Sequence, residues 1–111
     1  MAGDFVMAID RLEALRTMLI TDPANTFARY GLAMELVKVG DVEAGLAEFR
    51  WLMDHEPDYT PAYYHAGKAL ETLGRLDDAR EVMDKGIVAS ARVGDDHTRS
   101  ELQAALDMLG I

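Results

Sequence analysis

Apolar residues recur along this chain at the spacing of amphipathic helices, and the stripes come in pairs separated by a glycine. Leu32, Leu36 and Val39 precede Gly40, and a second stripe runs from Val42 to Met53. Apolar side chains spaced three to four residues apart share one face of an α-helix. Because glycine readily adopts the left-handed conformation that ends many helices, the pattern predicts two helices joined by a tight turn.

The same hairpin pattern returns 34 residues later without a gap. A fixed period of this kind indicates stacked repeats, each of which is one supersecondary unit. The sequence therefore predicts a second helix hairpin. The residues that recur at this interval are Pro23 and Pro57, Thr26 and Thr60, Tyr30 and Tyr64, Leu36 and Leu70, and Gly40 and Gly74.

One more amphipathic helix is predicted at each end of the two hairpins. The upstream stripe comprises Phe5, Ile9, Leu12, Leu15 and Leu19, and the downstream stripe comprises Leu102, Leu106 and Leu109. Leu106 lies two positions later than the period requires, so the helix before Gly94 is expected to be longer than its counterpart in the first unit. We expect a single domain over residues 1–111, with a half-repeat helix at 5–21, repeats at 24–57 and 58–93, and a capping helix at 96–109.

Side chains with the chemistry of helix caps stand where the helices are expected to begin. Serine, threonine and aspartate at a cap accept a hydrogen bond from a backbone amide that has no partner inside the helix. Thr26, Asp41 and Thr60 are the predicted caps, and Thr98 with Glu101 is predicted to form a capping box.

The composition excludes several classes of function. Lys and Arg number 11 against 20 Asp and Glu, and the net charge of -9 disfavours nucleic acid and anionic membranes as partners. With no cysteine, the chain has no disulfide and no thiolate metal ligand. The charged residues between positions 4 and 16 predict neither a signal peptide nor a membrane span, so a cytoplasmic protein is expected.

Residues that could carry catalysis or bind a metal ion do not form a recognisable pattern. His55, His65 and His97 are not spaced to place two ligands on one helical turn. Ser90 and Ser100 have no phased histidine and no nucleophile-elbow glycines. We therefore expect no cofactor, no metal ion and no enzymatic activity.

The spacings resemble those of the tetratricopeptide repeat, whose signature is W-x2-L-G-x2-Y, then A-x3-F, then P over 34 residues. Arg29 replaces the aromatic residue that opens this pattern, and Ala91 stands at the position of the last proline. The resemblance implies an all-α fold in which about six helices form antiparallel hairpins stacked as a short right-handed superhelix. A plain antiparallel helix bundle is the alternative. The matching residues are Leu32, Ala33, Leu36, Gly45, Phe49 and Pro57 in the first unit, and Tyr63, Ala66, Gly67, Leu70, Ala79 and Met83 in the second. The small residues of this set are expected to let the two helices of each hairpin approach closely, and they are Ala33, Gly45, Gly67 and Ala79.

The resemblance also implies a function, because the first helices of successive repeats line a concave groove that binds peptides or helices of other proteins. It predicts a non-catalytic interaction module, either an adaptor or an assembly factor. Lys38 and Lys68 are expected to favour acidic groups of the partner, and Tyr30 and Tyr64 alternatively complete the core. The groove residues implied for this chain are Phe27, Tyr30, Met34, Val37, Lys38, Tyr64, His65 and Lys68.

A familiar ligand of the family is a chaperone C-terminal carboxylate, which is held by lysine and asparagine side chains of the groove. Tyr30, Met34 and His65 occupy the first three of those positions in this chain. Because none of these side chains makes the charge-assisted hydrogen bonds of the clamp, we expect no recognition of that kind.

Trp51 departs from the apolar stripe of its helix, since it lies nine residues after Val42 and points to the opposite side. An outward tryptophan is a candidate contact for self-association. Burial against the neighbouring repeat is the alternative. The second functional hypothesis is a structural repeat module that forms homo-oligomers, because short repeat arrays end in apolar faces that need capping, here in the regions of Phe5 and Leu109.

Overall fold

The structure is a computed structural model that describes residues 2–110, and within that range it contains helices and no strands. The six helices are α1 (Ala2–Thr21), α2 (Thr26–Lys38), α3 (Val42–His55), α4 (Pro61–Thr72), α5 (Leu76–Val93) and α6 (Asp96–Met108). The all-α repeat fold expected from the sequence is confirmed. So is the longer helix of the second unit, since α5 has 18 residues and α3 has 14.

The turns between paired helices have the predicted chemistry. Gly40, Gly74 and Gly94 have φ angles of 94°, 75° and 74°, in the left-handed region that side chains disfavour. Asp41 caps α3, because its side chain accepts a hydrogen bond from the amide of Ala44. These local features follow directly from residue type.

Two predicted caps are wrong, and a third, Thr60, occupies the predicted position without the expected hydrogen bond. Asn25 caps α2 in place of Thr26, with an extended backbone and a side chain that accepts from the amide of Ala28. Asp95 caps α6 and accepts from the amide of Thr98, so the predicted capping box does not form. Thr60 makes no cap hydrogen bond, and its hydroxyl donates to Asp95 instead.

The helices form two layers. Each helix packs against the next one in the chain, α2 also contacts α4, and α4 also contacts α6. Among the described residues, no Cα atom of α1, α3 or α5 lies within 8 Å of a Cα atom in either of the other two helices. Helices α2, α4 and α6 therefore form an inner layer, whose solvent-facing side we call the inner face, and α1, α3 and α5 form an outer layer.

The main core lies between the layers and is centred on α3, α4 and α5. Its largest fully buried side chains include Phe49, Leu52, Leu70 and Met83. A smaller cluster joins α1 to α2 through Leu12, Leu32 and Leu36. Both leucines that recur at the repeat period, Leu36 and Leu70, are buried as expected.

Small residues allow the helices to approach closely. A Cβ atom added at Gly45 would lie 2.6 Å from Val37 Cγ2, and one at Gly67 would lie 2.8 Å from Met83 Cγ. The predicted role of these two positions within the hairpins is confirmed. Gly86 has the same role, and the sequence did not indicate it: an added Cβ would lie 2.5 Å from Tyr63 Cβ and 2.8 Å from Leu102 Cδ1.

The buried face of α1 differs from the predicted stripe by one position. Ala8 and Leu12 are buried, whereas Ile9 is exposed. The side chain of Phe5 lies outside the described part of the structure. No helix in the described range combines the length and the apolar character needed to cross a membrane.

Candidate functional site

The inner face carries two adjacent pockets. One, of about 100 Å³, lies between α2 and α4 and is lined by Met34, Val37, Phe49, His65, Lys68 and Thr72. The other, of about 400 Å³, lies between α4 and α6, and the residues that border it include Tyr64, Lys68, Glu71, Glu101 and Met108. Lys68 borders both pockets, so the two form a continuous surface.

His65 is the centre of an aromatic cluster at the inner face. The centroid of its ring lies 5.7 Å from that of Tyr30, 6.0 Å from that of Phe49 and 5.2 Å from that of Tyr64. Tyr59, in the loop before α4, meets Tyr30 edge-on at 5.3 Å. The cluster connects α2, α3 and α4, and apart from the buried ring of Phe49 its rings are half-buried and form a wall of the inner face.

Burial lowers the pKa of His65 below its ordinary value, and the negative charge of Glu101 opposes this shift only in part. The imidazole is therefore neutral at neutral pH. A neutral imidazole has one nitrogen that donates a hydrogen bond and one that accepts. His65 thus supplies a polar group within an otherwise aromatic wall.

Lys68 is already paired within the chain. Its ammonium nitrogen lies 2.7 Å from Glu71 Oε1, one helical turn away. The hydrogen bond with Glu71 is the main reason that the pKa of Lys68 is raised. The ion pair reduces the net charge that Lys68 presents to a ligand.

The structure places the predicted groove residues in three kinds of position. Met34, Val37, Tyr64, His65 and Lys68 line the two pockets. Tyr30 lies next to them through its contact with His65. Phe27, which is 71% exposed, and Lys38, which is exposed at the end of α2, line neither pocket.

Tyr30 and Tyr64 are both half-buried and pack against the main core. Both rings therefore help to complete the core, and groove contact through the exposed parts of these side chains stays a prediction. A tyrosine accommodates both, because its ring is apolar and its hydroxyl is polar.

The sequence reasoning missed Tyr59, Glu101 and Met108. The last two belong to α6, whose register lies two positions later than the period requires. Adding this offset makes Glu101 equivalent to His65, and Met108 equivalent to Thr72. The offset was visible in the sequence, and applying it to the groove positions would have found both residues.

Trp51 is half-buried and makes its contacts inside the first hairpin. Its ring stacks on that of His55 with centroids 4.1 Å apart, and the guanidinium of Arg29 lies 4.3 Å from the centre of the ring. Arg29 also pairs with Glu48 at 3.0 Å. Arginine in place of the family's aromatic residue thus packs on an aromatic ring of the next helix.

A third cavity, of about 790 Å³, lies on the opposite side between α3 and α5. Its lining contains four basic residues and four acidic residues, so its formal charge sums to zero. Two pairs, Arg75 with Asp78 and Lys85 with Glu81, neutralise each other directly. We place the candidate site on the inner face, because polar and aromatic side chains from three helices converge there.

The described residues contain no group of His, Asp or Glu arranged to hold a metal ion.

No family model matches the chain. Comparison with individual proteins and solved structures nevertheless finds tetratricopeptide repeat proteins. A TPR repeat-containing protein of Pseudomonas aeruginosa is 28% identical over 98 residues, which cover 88% of this chain and 93% of the relative. The solution structure of a tetratricopeptide repeat domain protein from Salinibacter ruber is 40% identical and has a TM-score of 0.75, covering 79% of this chain and 89% of that one. The TPR2B domain of yeast Sti1, solved as a complex with pHsp70, shares the fold at 16% identity with a TM-score of 0.84, covering 97% of this chain and 89% of that one.

Proposed function

This chain belongs to the tetratricopeptide repeat family, and we propose that it binds a peptide or helix of a partner protein on its inner face, as an adaptor or assembly factor that catalyses no reaction. The observation that carries the proposal is the pair of adjoining pockets lined by aromatic, methionine and histidine side chains. The net charge of -9 supports protein partners over nucleic acid or anionic membranes, and the proposal places the protein in the cytoplasm.

The chemistry of the two pockets suits a side chain of an extended or helical peptide. Methionine adapts its shape to a ligand, and rigid rings offer a large contact area at a small cost in conformational entropy. Met34 and Val37 supply apolar contact in the smaller pocket, and His65 supplies a hydrogen-bonding group at its edge. A partner side chain with an apolar body fits this combination.

Met34→Lys tests the proposal, with Val88→Lys as the matched control. Met34 is 36% exposed at the smaller pocket, and Val88 is 64% exposed on α5 in the outer layer. Each change places one positive charge at an exposed apolar position. Thermal unfolding followed by circular dichroism establishes that both variants keep the fold.

Affinity capture from cells of the source organism, followed by mass spectrometry, then compares the two variants with the wild type. We expect a specific protein to be lost with Met34→Lys and kept with Val88→Lys. A captured protein that Met34→Lys retains at the wild-type level would show that the inner face is not the binding surface.

Self-association is the second candidate function, and the exposure of apolar side chains on α1 favours it. Val6, Met7 and Met18 are all exposed on this helix. Leu109, at the other end of the array, is buried, and Trp51 makes contacts within its own hairpin. A strictly monomeric molar mass by light scattering over a wide concentration range would contradict self-association through either α1 or Trp51.

A further inference from the structure

The pocket between α4 and α6 has an unbalanced negative charge. Of its charged residues, Lys68 and Glu71 form an ion pair at 2.7 Å, which leaves Glu101. Glu101 lies 2.9 Å from the imidazole of His97, which carries a charge only when protonated. Among the described residues no lysine or arginine forms an ion pair with Glu101, so no permanent cation balances its carboxylate at this pocket.

Aromatic rings stand on the side of the inner face that Glu101 approaches. Tyr30 and Tyr59 are in edge contact at 5.3 Å, and Tyr64 borders the same pocket as Glu101. Burial is the main cause of the raised pKa of Tyr30, and the ionisable groups of Tyr59 and Glu101 raise it further. The face of a tyrosine ring attracts ammonium and guanidinium groups, and its hydroxyl oxygen accepts hydrogen bonds from them.

We propose that the inner face recognises a basic segment of the partner protein, with a lysine or arginine side chain held between Glu101 and the ring of Tyr64. This inference rests on the proposed function and specifies the chemistry of the partner. It reverses the charge preference expected from the sequence, in which Lys38 and Lys68 attract acidic groups.

The positions of the two lysines support the reversal. Lys68 is committed to Glu71, and Lys38 lines neither pocket. An acidic segment would therefore face Glu101 without gaining a new cationic partner inside either pocket. A basic segment gains Glu101, and the net charge of -9 attracts it from a distance.

Three synthetic peptides of equal length test the preference. All are acetylated and amidated, so they carry no terminal charge, and each alternates leucine with lysine, glutamine or glutamate. Fluorescence anisotropy at pH 7.5 gives the dissociation constant of each for the wild-type chain. We expect the lysine peptide to bind about tenfold or more tightly than the other two, which corresponds to a cation–π contact combined with an ion pair.

Two substitutions distinguish a local binding site from the general attraction of a basic peptide to the negatively charged chain: Glu101→Gln and Glu13→Gln. Each variant removes one negative charge, and Glu13 is exposed on α1 in the outer layer. We expect Glu101→Gln to weaken the lysine peptide about fivefold or more and to leave the glutamine peptide unchanged. Glu13→Gln is expected to leave both dissociation constants within about twofold of the wild type.

The outcomes distinguish the inference from the function on which it rests. If the lysine and glutamine peptides bind equally, or if Glu13→Gln weakens the lysine peptide as much as Glu101→Gln does, the basic site is wrong and peptide binding on the inner face stands. If the glutamate peptide binds most tightly, the charge preference is the reverse of the one proposed. If none of the three peptides binds saturably, both the basic site and the proposed peptide-binding function are contradicted.

Discussion

The hydroxyl of Thr60 donates a 2.6 Å hydrogen bond to Oδ2 of Asp95, which lies 35 residues later in the chain. Thr60 stands at the start of α4, and Asp95 caps α6, so the bond joins two helices of the inner layer. A second link runs beside it, because the guanidinium of Arg92 lies 2.6 Å from the carboxylate of Asp58. The first link helps to fix the spacing between α4 and α6, and hence the pocket that contains Glu101, whereas the second joins the end of α5 to the loop before α4.

The pKa of Asp95 is expected at about 2, below its ordinary value of 3.8, because the hydroxyl of Thr60 and the cap contacts with Thr98 favour the carboxylate. A lowered pKa in the folded state means that the unfolded chain takes up the proton first as the pH falls. The contribution of Asp95 to stability is thus complete above pH 3.8 and is lost between pH 3.8 and about 2. Titration of the carboxyl carbon by NMR measures the pKa. Thr60→Val should raise it, and a wild-type value near 3.8 would contradict the assignment.

The pKa of His65 is expected below its ordinary value of 6.5, since burial disfavours the charged ring. The unfolded chain is protonated first, so the contribution of His65 to stability is complete above pH 6.5 and declines as the pH falls below it. NMR titration of the imidazole provides the measurement. Glu101→Gln should lower the pKa further, because Glu101 opposes the effect of burial. A value at or above 6.5 would mean that the ring is not enclosed by its aromatic neighbours.

Gly86→Ala is expected to destabilise the chain by about 1 to 3 kcal/mol, because the added methyl group collides with Tyr63 and Leu102. Chemical denaturation gives the change in the free energy of unfolding. Gly3→Ala is the matched control: it lies in α1 with nothing within 4 Å of the added Cβ, and is expected to be neutral or mildly stabilising. Equal effects of the two substitutions would argue against the close packing of α5 between α4 and α6.

Ser90→Ala is expected to raise the free energy of unfolding by about 1 kcal/mol. Ser90 is fully buried, and its hydroxyl has no hydrogen-bond partner among the described residues. Alanine removes the unsatisfied group and keeps the helix. The same denaturation experiment measures the change, and a clear loss of stability would show that the hydroxyl has a partner in solution.

An acidic peptide with a free C-terminal carboxylate is expected to give no specific heat of binding in isothermal titration calorimetry. Tyr30 and Met34 supply no positive charge, and Lys68 is paired with Glu71. The amidated form of the same peptide is the control for heats of dilution. Saturable binding with a micromolar dissociation constant, present only with the free carboxylate, would overturn this expectation.

The amino-acid sequence alone determined the helices, their pairing into hairpins and the repeat period. These features depend on local chemistry: apolar spacing selects the buried face of each helix, and glycine permits the left-handed turn at Gly40, Gly74 and Gly94. Two of the close approaches, at Gly45 and Gly67, also followed from the repeat pattern. Five of the eight predicted groove residues line the pockets, because a repeat period of 34 residues places equivalent residues on equivalent helix faces.

Only the tertiary structure decided which side chains meet across helices. The bond between Thr60 and Asp95, the contact of Tyr59 with Tyr30, and the approach of Glu101 to the aromatic wall each join residues that are distant in the chain. Such contacts depend on how far each helix is shifted and rotated against its neighbour, and helical periodicity does not specify these quantities. For this reason the sequence placed most of the predicted groove residues on the inner face, and the packing of α6 against α4 added Glu101 to that face.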